Sequence, residues 1–374
     1  MPALSQPVSI FAPSGQPTRT VVYTAIIIVL SRFYLAYAMS YTNTAAERFK
    51  TYLKNSYISR GIYMSDSSVV WLWSMILNCF FIGIIVGNVV TPFFTDRLGR
   101  KTSAVIGICG MLLASVLETA SIYFELPELY VMSRIFGAIM FCINATGWSL
   151  IIAEAVPCKL RGTCFFVAGV SFSATVLLGM VFGTDYLLGE NLLMLIAFGL
   201  LPIIPCCFIT LQIKESPKFL LLTRKDREGA KESLLFYQGN ETSFEKFEED
   251  TLKEEGSASH TSSIKIIKDL FYERHLRRAI ILGVVALQLG PGVWSITTEL
   301  LLAHFSLQKA QVFSSALFGS NFAAGCCGIF TIKYVSRRKL LFVTNGIHIM
   351  SLAAYITFDR LAVLCNLCLA TVVC

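Results

Sequence analysis

A 374-residue chain that is 55% hydrophobic and only 15% charged carries more apolar side chain than one water-soluble core can bury, which excludes a soluble enzyme or adaptor and places the chain in lipid. The formal charge of +7 does not indicate a nucleic-acid partner, because the cations gather in loops beside apolar runs, where they orient membrane spans. A helix needs about 20 apolar residues to cross the ~30 Å hydrocarbon layer, and it satisfies its own backbone groups there, so recurrent apolar runs read as spanning helices.

In chain order, residues 1 to 20 form a polar cytoplasmic tail with Pro2, Pro7, Pro13 and Pro17 and no cleavable signal peptide. The first span, about Val21 to Ser40, contains Arg32, a cation that must either snorkel to an interface or face a cavity. Tyr41 to Ser68 reads as a polar loop. Val69 to Phe94, Thr102 to Phe124, Glu128 to Ala153, Thr163 to Leu187 and Asn191 to Gln212 read as further spans, so residues 21 to 212 are expected to form a six-helix transmembrane bundle. The loops after the second and fourth spans carry Arg97, Arg100, Lys101, Lys159 and Arg161, whereas those after the third and fifth carry only acids. The basic loops are therefore expected to be cytoplasmic. The loop from 41 to 68, external in this topology, breaks the pattern with Arg48, Lys50, Lys54 and Arg60.

Residues 213 to 277 are the long polar interval, charged in both signs, with Pro217 early and apolar residues at helical spacing (Phe219, Leu220, Leu221, then Leu234 and Leu235). Short amphipathic helices on the cytoplasmic face are expected there, with a Gly/Ser linker at Glu254 to Ser263. On that face the sequon Asn240-Glu241-Thr242 stays unused. Residues 278 to 374 offer spans at about Arg278 to His304, Val312 to Ile332, Lys339 to Phe358 and a short run, Leu361 to Cys374. These amount to about four helices of a second bundle. A basic turn, Arg337-Arg338-Lys339, recurs between its second and third helices, as expected of two related repeats. The 12 cysteines lie mostly within apolar runs and read as reduced packing residues, and Cys365-x-x-Cys368 lacks the second pair a metal site needs. His260, His275, His304 and His348 make no metal-ligand spacing, and no nucleophile-and-base set is present, so neither an enzyme nor a metal or cofactor is expected.

The most informative stretch is Gly87 to Lys101, GNVVTPFFTDRLGRK, where a long apolar helix ends in a tight charged turn. Gly99 offers a backbone free to take positive φ, and Asp96 is expected beside the positive N-terminus of the next helix. Further along stand Arg134-x-x-Gly137, Glu154-x-x-Pro157-x-x-x-Arg161-Gly162 and Glu215-Ser216-Pro217-Lys218-Phe219-Leu220-Leu221. In order and spacing these resemble the major facilitator superfamily, and within it the sugar porters, the facilitative hexose transporters in particular.

That resemblance implies an all-α integral membrane protein of the major facilitator fold, with a complete first bundle and about four helices of the second. It also implies transport of a hexose or related carbohydrate by alternating access, as facilitative uniport rather than coupled transport, in the plasma membrane. Asp96, Arg97, Arg100, Glu154, Arg161, Glu215, Arg337 and Arg338 would then form charge networks that hold the cytoplasmic side until the cavity opens inward. Gly179 and Gly183 would let helices approach closely. Of the family's sugar-binding amides, those of the seventh and eighth spans fall on Gln288 and Asn321, while two others fall on Gly169 and Val293, which cannot replace them. Trp294, Thr297 and Thr298 are the candidate substitutes, and Gly290-Pro291-Gly292 is expected to break the seventh helix. The alternative is a non-transporting sensor, a partner-binding relative or an inactive truncated form. With four helices, the second bundle is expected to be unstable, to be rescued by a membrane partner that supplies the missing helices, or to be an artefact of a truncated chain, so that this chain alone is not expected to complete a transport cycle.

Overall fold

The computed structural model describes residues 31–239, 243–257, 271–288, 297–302, 305–335 and, discontinuously, positions from 338 to 357; the side chain of Gln288 is among those outside the description. Every regular element among the described residues is helical. The first is α1 (Phe33–Thr44), followed by α2 (Ala46–Ser59), α3 (Asp66–Arg97), α4 (Arg100–Tyr123), α5 (Pro127–Ala155) and α6 (Cys158–Phe182). The next expected span is split into α7 (Leu192–Ala197) and α8 (Leu200–Leu211). Pro202 and Pro205 cannot donate to the carbonyls of Phe198 and Leu201, which loosens the helix around Gly199. Counting α7 with α8, five described segments (Asp66–Arg97, Arg100–Tyr123, Pro127–Ala155, Cys164–Phe182 and Leu192–Leu211) are long and apolar enough to cross a membrane.

Glycines set how closely these helices pack, since without a hydrophobic drive between them the backbones themselves must meet. A Cβ on Gly83 of α3 would lie 2.6 Å from the Ile135 carbonyl oxygen, and one on Gly107 of α4 would lie 2.6 Å from both the Cβ and the backbone nitrogen of Asn144. Asn144 donates from Nδ2 to the Ala104 carbonyl at 2.8 Å, locking α4 and α5 at this close approach. Gly179 of α6 and Gly183 just after it do the same against Ser40 and Thr44 of α1, as the sequence leads one to expect.

The interval from 41 to 68 is not the polar loop expected from its charges. Ala46, Phe49, Leu53 and Ser56 are buried at helical spacing along α2, and Phe49 stacks on Trp73 with ring centroids 5.1 Å apart. Its cations clamp this amphipathic helix onto the spans: Arg48 to Asp185 at 3.2 Å, Lys54 to Asp66 at 2.6 Å and Arg60 to Glu128 at 2.8 Å. Packing thus accounts for the basic residues that run against the loop-charge pattern.

The start of the long polar interval folds as the amphipathic spacing predicts, whereas Glu254 to Ser257 of the expected Gly/Ser linker continue a helix that begins at Phe244, because the charged residues before Gly256 propagate it. A turn at Pro217–Phe219 continues through a π turn at Leu220–Arg224 into α9 (Arg227–Gln238) and α10 (Phe244–Ser257). Lys218 binds Glu254 on α10 and holds that carboxyl below its ordinary value, through its hydrogen bond first and its charge second. The second half contributes α11 (Arg274–Gln288), α12 (Thr297–Leu302) and α13 (Leu307–Tyr334). The two halves meet where α1 and α6 face α12 and α13, with Ala36, Val176, Met180 and Phe318 in one apolar cluster. Residues 1 to 20, Gly290-Pro291-Gly292 and Leu361 to Cys374 lie outside the described residues.

Candidate transport gates and cavity

The tight charged turn is built as its sequence implies at one position and differently at another. Gly99 takes φ 109°, in the region that favours glycine, and a Cβ there would press on Glu215 and Phe219. The carboxylate at the N-terminus of α4, however, is Glu215 and not Asp96. The backbone N–H of Lys101 donates to Glu215 Oε1 at 2.8 Å, and that oxygen also accepts from the N–H of Ser216 at 2.8 Å. Asp96 falls within the last turn of α3, which runs on to Arg97, and its described contact is the Thr95 hydroxyl at 3.4 Å. A helix that continues three residues past its apolar run carries the acid with it, leaving the start of α4 to a carboxylate from far along the chain.

Arg100 donates from Nε and Nη2 to Glu154 Oε1 at 3.3 and 3.1 Å, from Nη1 to the Thr95 carbonyl at 3.2 Å, and lies 4.9 Å from the Phe219 ring centroid. The other Glu154 oxygen accepts from Ser216 Oγ. Glu154 therefore pairs with Arg100 rather than with Arg161, whose Nε donates to the Val156 carbonyl at 2.9 Å. The chain turns back at Pro157, directing Arg161 to its own loop. Arg97 stacks on Phe93 at 4.7 Å, Arg338 lies 5.9 Å from the Phe342 ring, and Arg337 is outside the described residues. Among the described residues, this charged cluster joins α3, α4, α5 and the 213–277 helices within the first half. Glu154→Gln is expected to weaken this cluster by ~1.5–3 kcal/mol, the range for a charge-assisted hydrogen bond, and to lower the unfolding temperature more than Arg161→Leu does. Thermal unfolding of the two variants in detergent checks the order.

At the opposite end, the end of α2, a set of contacts that the sequence reading missed ties the halves together. Asn43 of α1 donates from Nδ2 to Thr297 Oγ1 at 2.7 Å and accepts at Oδ1 from the N–H of Thr298 at 3.1 Å. Gln311 of α13 donates to the Thr44 carbonyl at 2.9 Å and accepts from the N–H of Asp185 at 3.3 Å, while Lys50 pairs with Glu299 at 2.8 Å. Asn43, Thr297, Thr298 and Gln311 are all buried. The local signal was an asparagine ending an apolar helix, but its partners are more than 250 residues away and no spacing rule connects them. Asn43→Ala removes both bonds and is expected to favour separation of the halves at this end by ~1–3 kcal/mol. Faster labelling of a thiol introduced near Gln311 by a membrane-impermeant reagent is the expected readout.

Of the candidate sugar residues, Thr297, Thr298 and Asn321 have described side chains. Thr298 is part of this seal, with its hydroxyl donating to Ser314 Oγ at 3.0 Å. Asn321 is exposed, Gln288 is the last residue of α11, and Trp294 lies outside the described residues. At Gly169 an added Cβ would meet nothing within 4 Å, so the position is open space. Arg32 is half-buried just ahead of α1, without an ion pair among the described residues.

Between the two ends lies a buried charged cluster. Glu118 of α4 accepts from Tyr34 Oη at 2.7 Å, and Arg134 of α5 donates from Nη1 to Tyr130 Oη at 3.1 Å and to the Ala38 carbonyl at 3.4 Å. Both side chains are 2% exposed, which in a membrane bundle demands a counter-charge or a function. Arg134 carried a motif in the sequence; Glu118 sat unnoticed in an apolar helix.

A family model described as "Sugar (and other) transporter" matches residues 21–370. Among curated proteins, the chain is 25% identical over 328 residues to "Solute carrier family 2, facilitated glucose transporter member 5" of Equus caballus, covering 85% of this chain and 65% of that protein. It is 26% identical over 279 residues to member 3 of the same solute carrier family from Homo sapiens, covering 72% of this chain and 54% of that protein. The chain thus spans between about half and two thirds of the length of these relatives. Among solved structures, the proton:xylose symporter XylE bound to 6-bromo-6-deoxy-D-glucose superposes with a TM-score of 0.66 at 16% identity, over 86% of this chain and 71% of that one. A partially occluded inward-open conformation of XylE from E. coli gives 0.65 at 17% identity, over 86% and 75%. Likeness at that level of identity establishes the fold.

Proposed function

Because this chain belongs to the sugar transporter family of the major facilitator superfamily, we propose that it moves a small carbohydrate across a membrane by alternating access of its two halves. The observation that carries this reading is the seal between α1 and α12: two halves joined at one end by a handful of hydrogen bonds, each of which water can replace when they part. The cytoplasmic cluster around Arg100 and Glu154 gives the first half a rigid body to rock as a unit. Loop charge supports an orientation with residues 213 to 277 and the N-terminus in the cytoplasm and the α2 end outside.

Counter-flow of labelled D-glucose and D-xylose in liposomes holding the 374-residue chain tests the proposal. Saturable, stereospecific exchange supports it, and exchange no faster than in protein-free vesicles overturns it. A second reading, a non-transporting sensor, is favoured by the open space at Gly169 where a sugar-binding amide is missing. Binding of sugar without exchange would select it. The same space makes a gain-of-function test available: Gly169→Gln enters without collision and is expected to strengthen hexose binding by ~1 kcal/mol, about fivefold in affinity. Equilibrium binding to the purified protein measures the change.

A further inference from the structure

Glu118 is a carboxyl that the gates and the cavity leave unused, sealed inside the first bundle near the end of α4 at Tyr123. The ionisable groups facing it are Tyr34 and Tyr41 from α1 and Tyr130 and Arg134 from α5. Arg134 stays charged at any working pH and the tyrosines stay neutral, so Glu118 is the one member whose charge can change. Arg134 interacts with Glu118 electrostatically, yet its guanidinium is spent on Tyr130, on the Ala38 carbonyl and on the face of Phe80 at 5.0 Å, and its Nε has no hydrogen-bond partner. The arginine is thus held in place without a direct ion pair.

Helix α1 connects this cluster to the seal. It carries Tyr34 against Glu118, the Ala38 carbonyl against Arg134, and, two turns on, Asn43 and Thr44 against Thr297, Thr298 and Gln311. We propose that Glu118 is a proton-binding site that controls the outer seal. Ionised, it balances Arg134 and favours the packed cluster that holds α1 against α12. When a carboxylate oxygen takes a proton from water, the cluster gains one net positive charge, and the cost of keeping Arg134 unbalanced in a dry site favours the conformation in which the outer half parts and water reaches it. Coupling of that proton to sugar movement rests on the transport reading above; control of the seal does not.

The test uses the full chain in liposomes with Ala310→Cys, a fully buried position beside Gln311 on α13, and a membrane-impermeant maleimide added outside. Labelling rates are compared between this protein and the same protein carrying Glu118→Gln, so that the reagent's own pH dependence cancels. From about pH 8 to about pH 5 the parent is expected to gain accessibility at least about fivefold relative to the Glu118→Gln variant, which stays accessible throughout. Glu118→Asp keeps the response, and Tyr34→Phe, which removes the hydroxyl donor without touching charge, moves its midpoint. An identical response with and without Glu118→Gln overturns the proposal; should that variant not fold, an unmoved midpoint in Tyr34→Phe overturns it. Exchange of labelled D-glucose in the same vesicles separates the two ideas. Exchange with a response indifferent to Glu118 removes the proton site alone, and a Glu118-dependent response without exchange removes the transport reading alone.

Discussion

Arg134→Leu is expected to destabilise the first bundle by ~3–5 kcal/mol, because it leaves Glu118 as an uncompensated carboxylate in a dry site. The leucine fills much of the volume, so the loss is electrostatic before it is steric. The distinguishing result is the double variant: Glu118→Gln added to Arg134→Leu is expected to restore a large part of the stability, since two neutral side chains then replace two charges. Thermal or denaturant unfolding of the four proteins of this cycle in detergent gives the coupling directly. Additive losses would show that Arg134 matters through its contacts with Tyr130, Phe80 and the Ala38 carbonyl rather than through Glu118.

Gly107→Leu is expected to cost ~3 kcal/mol or more and to reduce the yield of folded protein sharply. A Cβ at Gly107 would lie 2.6 Å from the backbone nitrogen of Asn144 and 2.7 Å from the Met140 carbonyl oxygen, so α4 and α5 must separate rather than merely repack a side chain. Separation also breaks the Asn144 bond to the Ala104 carbonyl at 2.8 Å and strands a buried amide. Gly283→Leu is the control, since a Cβ at Gly283 would meet nothing within 4 Å. Its expected change is small. Equal losses in the two variants would mean that helix propensity and hydration, not backbone contact between α4 and α5, control the effect.

The sequence by itself determined what is local or periodic. Apolar runs of bilayer length located α3, α4, α5, α6 and the α7–α8 pair to within about five residues, and apolar residues at helical spacing at the start of a charged interval foretold the turn at Pro217 and α9, but not α10. Gly99 was legible because a tight turn between two helices needs positive φ, which its neighbours cannot adopt cheaply. The helix α2 was missed because its apolar stripe of Ala46, Phe49 and Leu53 is narrow and its charges dominate the window, although each charge proved to have a partner in space.

Which charges meet was decided by tertiary structure alone. Glu215 takes the helix-end role expected of Asp96, and Glu154 chooses Arg100 over Arg161, because helix lengths and the turn at Pro157 set side-chain positions to within a few ångström, finer than any motif spacing specifies. The seal around Asn43 and Gln311 and the Glu118 cluster have the same origin. Their members are scattered from residue 34 to residue 311 and look like ordinary helix residues one at a time. Only the packing of α1 against α4, α5, α12 and α13 removes the water from around them, and it is the loss of water that turns an asparagine, a threonine or a glutamate into a site.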